Sequence, residues 1–165
     1  MSELARPRKA TQDAIAILVI NCGSSSVKFA LFAAAQSLSR LRSGSVDRIG
    51  LANGHFHIAD ADGVTITNKT GFFSNHATAL GQVLEAVERD ASTPRLMAVG
   101  HRVVHGGAEC DCPVVVTRAL EARLRELIPL APLHQPHNLA GIIAIRNVRP
   151  DIPRRLGDRS PDRRD

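Results

Sequence analysis

Residues 18–33 constrain the fold of this chain more than any other stretch, because an apolar run stops at a polar cluster and then resumes. The first apolar run covers residues 15–20, and the polar cluster covers residues 21–26. The second run begins at Val27 and is interrupted only by Lys28. This pattern predicts a strand, a tight turn and a second strand.

The polar cluster reads Asn-Cys-Gly-Ser-Ser-Ser, and Lys28 follows it closely. Backbone N–H groups, hydroxyls and an ammonium group all donate hydrogen bonds to phosphate oxygens, so the turn suits a phosphate group. It is not a Walker A loop, which needs Gly-Lys-Ser/Thr at the start of a helix, whereas Lys28 lies in an apolar strand pattern. The residues alone leave two interpretations open, a phosphate-binding turn and an ordinary hairpin with a serine-rich turn.

Further elements follow from periodicity. Residues 37–49 predict a third strand with Leu38, Leu41, Val46 and Ile49 as buried positions, and residues 55–58 and 64–67 predict a second hairpin. A helix capped by Ser74 or Asn75 follows. Its predicted buried stripe consists of Ala77, Leu80, Val83, Leu84 and Val87. Strands followed by helix, strand and helix predict an α/β domain with a mixed sheet.

Residues 100–107 read Gly-His-Arg-Val-Val-His-Gly-Gly and directly follow a predicted strand, residues 95–100. Ligands of α/β proteins gather outside the carboxyl ends of strands. Arg102 is the candidate, because a planar guanidinium can hold a carboxylate through two parallel hydrogen bonds. The alternative for Arg102 is a surface ion pair, and a structural role is favoured for His101 and His105.

Residues 131–142 read Ala-Pro-Leu-His-Gln-Pro-His-Asn-Leu-Ala-Gly-Ile and follow a predicted helix, residues 117–130. Pro136 predicts the start of another helix, which Pro150 ends. His134 is a candidate for hydrogen bonding to an anion, with a structural histidine as the equal alternative.

These three segments resemble, in the same order, three signatures of the acetate kinase family, which shares its fold superfamily with sugar kinases, actin and the heat-shock chaperone ATPases. Residues 21–28 match the first signature over eight positions. The one departure in the third segment is Gln135, where the family has Asn. The resemblance implies an α/β fold, namely the N-terminal lobe of the actin-like ATPase (ribonuclease H-like) fold, with a mixed sheet and flanking helices.

The resemblance also implies a reaction, the reversible transfer of the γ-phosphoryl group of ATP to acetate with Mg²⁺. His134 would be the active-site histidine, and Arg102 would bind the carboxylate and then the transferring phosphoryl group. Eight residues receive roles by their match to the motifs: Asn21 at the metal; Ser24, Ser26 and Lys28 at the phosphates of ATP; Arg102, Val104 and Leu133 at the substrate, the last two beside its methyl group; and His134 in catalysis.

The domain organisation predicted from the sequence is a disordered leader (1–13), the N-terminal lobe (14–152) and a disordered tail (153–165) rich in Arg, Asp and Pro. The chain of 165 residues is short for a two-lobed kinase, and the family's second lobe is expected to be absent. We therefore expect a fragment that is inactive alone. A reading-frame change near Pro153 is one hypothesis and a short paralogue the other, and the genomic sequence downstream would distinguish them.

Alternative functions are a non-catalytic anion-binding lobe, half of a split kinase, and a fragment of a propionate or butyrate kinase. The expected partners are ATP and acetate or another short carboxylate, and full-length relatives are expected to be homodimers. Of the net charge of +5, most resides in arginines near the two ends, which argues against nucleic-acid binding. No apolar run of bilayer length occurs, which predicts no membrane association, and three cysteines without a disulfide spacing fit a reducing compartment, so a cytoplasmic location is expected.

Overall fold

The computed structural model of the chain describes residues 15–35, 37–103 and 114–157. Within these ranges, eight strands form one sheet in the order β5-β4-β3-β2-β1-β6-β8-β7. The strands are β1 Ile15–Cys22, β2 Ser26–Ala34, β3 Leu38–Asp47, β4 Gly54–Asp60, β5 Thr65–Gly71, β6 Arg95–Arg102, β7 Val114–Val115 and β8 Arg154–Gly157. The helices are α1 His76–Glu88, α2 Arg118–Glu126 and α3 Gln135–Val148, with a 3₁₀ turn at Ile128–Leu130.

The sheet is mixed. β1 to β5 form an antiparallel meander, as the two predicted hairpins and the third strand require. After the α1 crossover, β6 pairs with β1 in parallel, and β8 pairs with β6 in parallel. The short β7 forms one edge of the sheet and pairs with β8 in antiparallel orientation. The predicted α/β fold with a mixed sheet is therefore confirmed.

The two faces of the sheet differ in character because side chains alternate along each strand. One face packs against α1 and α3 and forms the main core, to which β1 contributes Leu18 and Ile20, and β2 contributes Phe29 and Leu31. On the opposite face Ile17 is half-buried and Val19 is 40% exposed. We call this second side the open face. A smaller cluster lies between α2, α3 and β8, built from Val103, Val116, Leu124, Leu139, Ile142 and Leu156.

Helices α1 and α2 begin at side-chain caps. Asn75 accepts a hydrogen bond from the Thr78 N–H at 3.0 Å and starts α1. The predicted stripe of α1 is buried except for its first residue, Ala77, which is exposed. Ala79, one turn before Val83, is buried instead.

The helix predicted for residues 117–130 starts as expected but ends early. Thr117 caps α2 by accepting from the Leu120 N–H at 3.1 Å. The α-helix stops at Glu126 and continues as the 3₁₀ turn, because Pro129 lacks the N–H that a further α-helical turn needs. In the described part of the chain, no helix is both long and apolar enough to cross a membrane.

The C-terminal part of the described chain differs from the prediction. The sequence predicts a disordered tail from residue 153, whereas Arg154–Gly157 forms β8. Backbone pairing with β6 and the burial of Leu156, which is 3% exposed, outweigh the polar composition of this short segment. The rest of the predicted tail, residues 158–165, and the predicted leader lie outside the described residues.

Arg154 conflicts with its position in the sheet. The register pairs it with Val99, so its side chain shares the buried face. Its Nε and Nη1 atoms are buried and have no hydrogen-bond partner among the described residues, and neither does Nε2 of His101. Burial and the nearby charge of Arg154 lower the pKa of His101 to about 3. A guanidinium with two buried nitrogens that lack a partner in the described part of the chain, beside a neutral imidazole, destabilises this part of the core.

We predict that Arg154→Val raises the free energy of unfolding by about 1–3 kcal/mol, because it removes a buried group without a partner. Urea denaturation followed by circular dichroism measures this change. The matched control is Arg155→Val, whose parent side chain is exposed on the next position of β8 and should leave stability nearly unchanged. A loss of stability in the Arg154 variant would contradict the burial argument.

A pH dependence follows from His101. In the unfolded chain this imidazole takes up a proton near pH 6.5, whereas the folded protein resists protonation until about pH 3. Because the unfolded state binds more protons in that interval, stability should fall steadily as the pH drops from about 6.5 towards 3. Urea midpoints measured for the wild type and for His101→Gln across this range should converge at low pH; parallel curves would contradict the prediction.

Candidate functional site

The polar turn after β1 and the guanidinium at the end of β6 lie at the same edge of the sheet. β1 and β6 are adjacent and parallel, with Val19 opposite Gly100 and Ile20 opposite His101. Parallel strands place their carboxyl ends together. Arg102, the last residue of β6, and the turn of residues 23–25 therefore flank the same edge.

Three of the candidate residues also share one face of the sheet. Lys28 pairs with Asn21 across β1 and β2, so their side chains lie on the same side. Continuing the parallel register by one residue beyond Ile20 and His101 places Arg102 on the other side of Asn21. Lys28 and Arg102 are exposed and Asn21 is half-buried. An amide with a cation on each neighbouring strand attracts an anion to the open face.

The turn itself is held through its carbonyl groups. The Gly23 N–H donates to the Ser26 carbonyl at 2.8 Å, and the Ile49 N–H donates to the Ser25 carbonyl at 2.9 Å. Two side chains bind the preceding carbonyls: Asn138 donates to Cys22 O at 2.9 Å, and Nε2 of His76 lies 2.7 Å from Gly23 O. Ser24 and Ser25 remain exposed. Carbonyl oxygens repel an anion, and here they are engaged in hydrogen bonds within the protein. The exposed serines are left to face the solvent, so the surface of the turn favours anion binding.

Sequence reasoning gave no role to His76 or to the side chain of Asn138. His76 lies outside the three motif segments, and its only local signal is its place directly after the helix cap Asn75. Asn138 lies inside the third segment, within the first turn of α3. Both contacts join residues far apart in the chain, so the sequence offers no spacing that would reveal them.

The start of the turn rests on a close contact between Cys22 and α3. A Cβ atom added at Gly141 would lie 2.4 Å from Cys22 Sγ and 3.3 Å from its Cβ, so only glycine fits there without movement. Burial raises the pKa of the Cys22 thiol to about 12, which keeps it protonated and unreactive at neutral pH. Cys22 therefore acts as a packing residue below the turn.

His134 and Leu133 lie at the start of α3. His134 is the exposed residue preceding the helix, and Leu133 is 75% exposed. His134 lies close enough to His137 to contribute, after burial and His76, to the lowered pKa of that imidazole. The structure thus links His134 to the His76 side of the turn, while the described residues do not enclose Leu133. Val104 lies outside the described residues, as does His105, so the methyl pocket of Val104 and Leu133 remains a prediction.

A shallow groove of about 240 Å³ runs along the open face between β1, β6 and β8. Val19 forms an apolar wall, Gly100 and Gly157 leave room at the floor, and Arg102 and Arg155 supply positive charge. A short carboxylate has a charged head and a small apolar tail, which match these two kinds of lining.

The fit of a magnesium ion depends on oxygen ligands. Mg²⁺ in phosphoryl-transfer sites is held by one or two carboxylates together with phosphate oxygens and water. Asp47 supplies a carboxylate on the same face as Ser26, with which it pairs, and it accepts a hydrogen bond from Ser45 at 2.5 Å. The described residues contain no group of three or more His, Cys, Asp or Glu side chains arranged for a metal. Asn21 and Asp47 supply side-chain oxygen atoms on the open face, which is the donor type that Mg²⁺ takes.

Comparison with known proteins decides the family. The profile of the Acetokinase family matches residues 16–156, which is most of the chain. The chain belongs to the acetokinase family. The match extends to Leu156, past the point near residue 152 where the sequence resemblance was expected to end, and it includes most of β8.

The relatives extend well beyond the matched region. An acetate kinase of Streptomyces griseus is 41% identical over 142 residues, covering 83% of this chain and 34% of the relative. The crystal structure of Porphyromonas gingivalis acetate kinase superimposes with a TM-score of 0.77 at 34% identity, covering 87% of this chain and 37% of that one. A propionate kinase from Francisella tularensis gives 0.78 at 29% identity, covering 86% and 36%. The chain therefore spans about a third of the length of these relatives.

We predict that Gly141→Ala destabilises the protein by about 1–3 kcal/mol, because the new methyl group collides with Cys22. The matched control is Gly81→Ala in α1, where the added Cβ meets nothing within 4 Å and should stabilise the helix by up to about 1 kcal/mol. Thermal denaturation of both variants tests the contrast. Adding Cys22→Ala should recover part of the Gly141→Ala loss, and equal effects of the two glycine substitutions would contradict the contact.

Proposed function

We propose that this chain supplies the acceptor and phosphoryl-binding part of an acetate kinase, which transfers the γ-phosphoryl group of ATP to acetate and yields acetyl phosphate and ADP. The observation that carries the proposal is the shared sheet edge of the β1–β2 turn, Lys28 and Arg102, which rests on the parallel pairing of β1 and β6. Membership of the acetokinase family supports it.

The residues have distinct roles in this proposal. Arg102 binds the carboxylate of the acceptor in the groove beside Val19, and then the phosphoryl group that the carboxylate receives. Lys28, Ser24 and Ser26 bind the phosphoryl oxygens from the side of the turn. His134 adds a hydrogen-bond donor from the start of α3. Mg²⁺, held by Asn21 and Asp47 together with the phosphates, would neutralise charge on the nucleotide.

The acceptor is a short carboxylate, with acetate first and propionate second. The groove is small, and the apolar surface that Val19 contributes to it suits one or two carbon atoms beyond the carboxylate. The similarity to both an acetate kinase and a propionate kinase structure supports keeping both acceptors.

We propose further that the 165-residue chain alone binds these ligands without appreciable turnover. Phosphoryl transfer depends on positioning and on neutralising charge across the equatorial oxygens, so the groups around the phosphate act together. One positive group on the transferring phosphoryl contributes about 10³–10⁵-fold in rate. The matched region is about a third of the relatives' length, and the described residues supply one side of such a site.

Arg102→Ala should weaken binding of acetate and of inorganic phosphate by about 10- to 100-fold, because it removes charge-assisted hydrogen bonds. Isothermal titration of the purified chain measures this. Arg95→Ala is the matched control, since Arg95 is an exposed arginine at the other end of β6 and should leave binding unchanged. Equal affinities in the wild type and the Arg102 variant would contradict the proposed site.

The same samples distinguish an inactive chain from an enzyme. With ATP, acetate and Mg²⁺, a hydroxylamine assay should detect no acetyl phosphate above the protein-free background. Turnover at ordinary kinase rates, on the order of 1–100 per second, would contradict the proposed inactivity while supporting the proposed chemistry.

A further inference from the structure

The backbone of the β1–β2 turn is held from below by the first turns of two helices. His76, the first residue of α1, places Nε2 2.7 Å from the Gly23 carbonyl oxygen, and Asn138 in α3 donates to the Cys22 carbonyl oxygen at 2.9 Å. A carbonyl oxygen can only accept a hydrogen bond, so Nε2 of His76 must be the protonated nitrogen. The contact therefore requires a proton on Nε2 of His76.

The position of the His76 ring is set by both helices. Its backbone follows Asn75, whose side chain caps α1. Its ring stacks on His137 with a centroid distance of 5.7 Å and an interplanar angle of 24°. Burial, together with the neighbouring His76 and His134, lowers the pKa of His137, which favours an uncharged partner in the stack. The imidazole thus has a fixed plane and a fixed donor direction.

This hydrogen bond orients the next peptide group. In a trans peptide, the carbonyl of one residue and the N–H of the following residue point in opposite directions. Because the Gly23 carbonyl points towards His76, the Ser24 N–H points away from it, out of the protein. Ser24 is exposed, and it follows the Gly23 N–H that closes the turn by bonding to the Ser26 carbonyl.

We infer that His76 is a positioning residue of the phosphoryl site, which directs the Ser24 N–H at the bound phosphoryl group by holding the Gly23 carbonyl. The inference rests on the proposed function of the turn. His76 does not touch the ligand, and it acts through the peptide between Gly23 and Ser24. A purely structural histidine would affect stability alone, whereas this one affects the direction of a donor.

Two amide substitutions separate these roles. The amide nitrogen of Gln reaches about as far as the Nε2 of histidine, whereas that of Asn reaches only as far as Nδ1. His76→Gln should therefore keep the hydrogen bond to Gly23, and His76→Asn should lose it. The matched control is His55→Gln in β4, a histidine whose Nε2 bonds to Asn68 in the hairpin and not to the turn.

The experiment titrates inorganic phosphate into the ¹⁵N-labelled 165-residue chain and follows the amide resonances of Ser24 and Ser25. We expect His76→Asn to weaken phosphate binding roughly five-fold, about the worth of one hydrogen bond, and both Gln variants to bind within about two-fold of the wild type. Long-range ¹H–¹⁵N spectra in mildly alkaline buffer should show His76 protonated at Nε2. Protonation at Nδ1, or equal phosphate affinity in His76→Asn and His76→Gln, overturns the inference.

Failure of the proposed function gives a different result. If the wild type binds no phosphate, the turn is not a phosphoryl site, but the free-state spectra still report on positioning. The Ser24 amide resonance should then move in His76→Asn and stay near its wild-type position in His76→Gln. If His76→Asn does not fold, the inference is tested by the protonated nitrogen of His76 in the wild type and by the phosphate affinity of His76→Gln. A shifted Ser24 resonance together with weakened phosphate binding in His76→Gln counts against the inference.

Discussion

The parallel pairing of β1 with β6 is the constraint on which the candidate site depends. It exists because α1 carries the chain back across the sheet, so that both strands end at the same edge. Had β6 run antiparallel to β1, Arg102 would lie at the far end of an eight-residue strand, about 25 Å from the turn. One crossover helix therefore converts two motifs that are about 75 residues apart into neighbours across a single strand pairing.

The helices contribute more than a hydrophobic cover. Because α1 and α3 both pack on one face, the other face stays open, and the alternation of side chains puts Lys28, Asn21 and Arg102 there. The same helices begin below the turn, where His76 and Asn138 bind its carbonyl oxygens. The same packing thus buries one face of the sheet and orients the turn at its edge. Gly141 lets α3 approach the sheet closely enough for both.

The sequence predicts those parts of the structure that depend on neighbouring residues. Alternation and turn residues were sufficient for the two hairpins. The apolar stripe limited the cap of α1 to Ser74 or Asn75, and the structure gives Asn75. Leu38 shows the limit: alternation predicts burial, but it starts β3 beyond the cover of the helices and is 65% exposed. His76 and Asn138 could not be assigned, since each acts on a backbone carbonyl 53 or 116 residues away.

Strand β8 could not be predicted from the sequence for a related reason, which also explains why its side chains suit their positions unevenly. Backbone pairing with β6 does not depend on side chains, so a segment of almost any composition can complete this edge of the sheet. Side chains must still fit, and here they fit unevenly: Leu156 fills the smaller cluster, whereas Arg154 buries a guanidinium without a partner among the described residues. In a sequence that specifies its structure, the polarity of each side chain agrees with the burial of its position. At Arg154 the two disagree, although the residue lies within the region that the family profile matches, so the backbone pairing of β8 holds this strand in place despite one ill-fitting side chain.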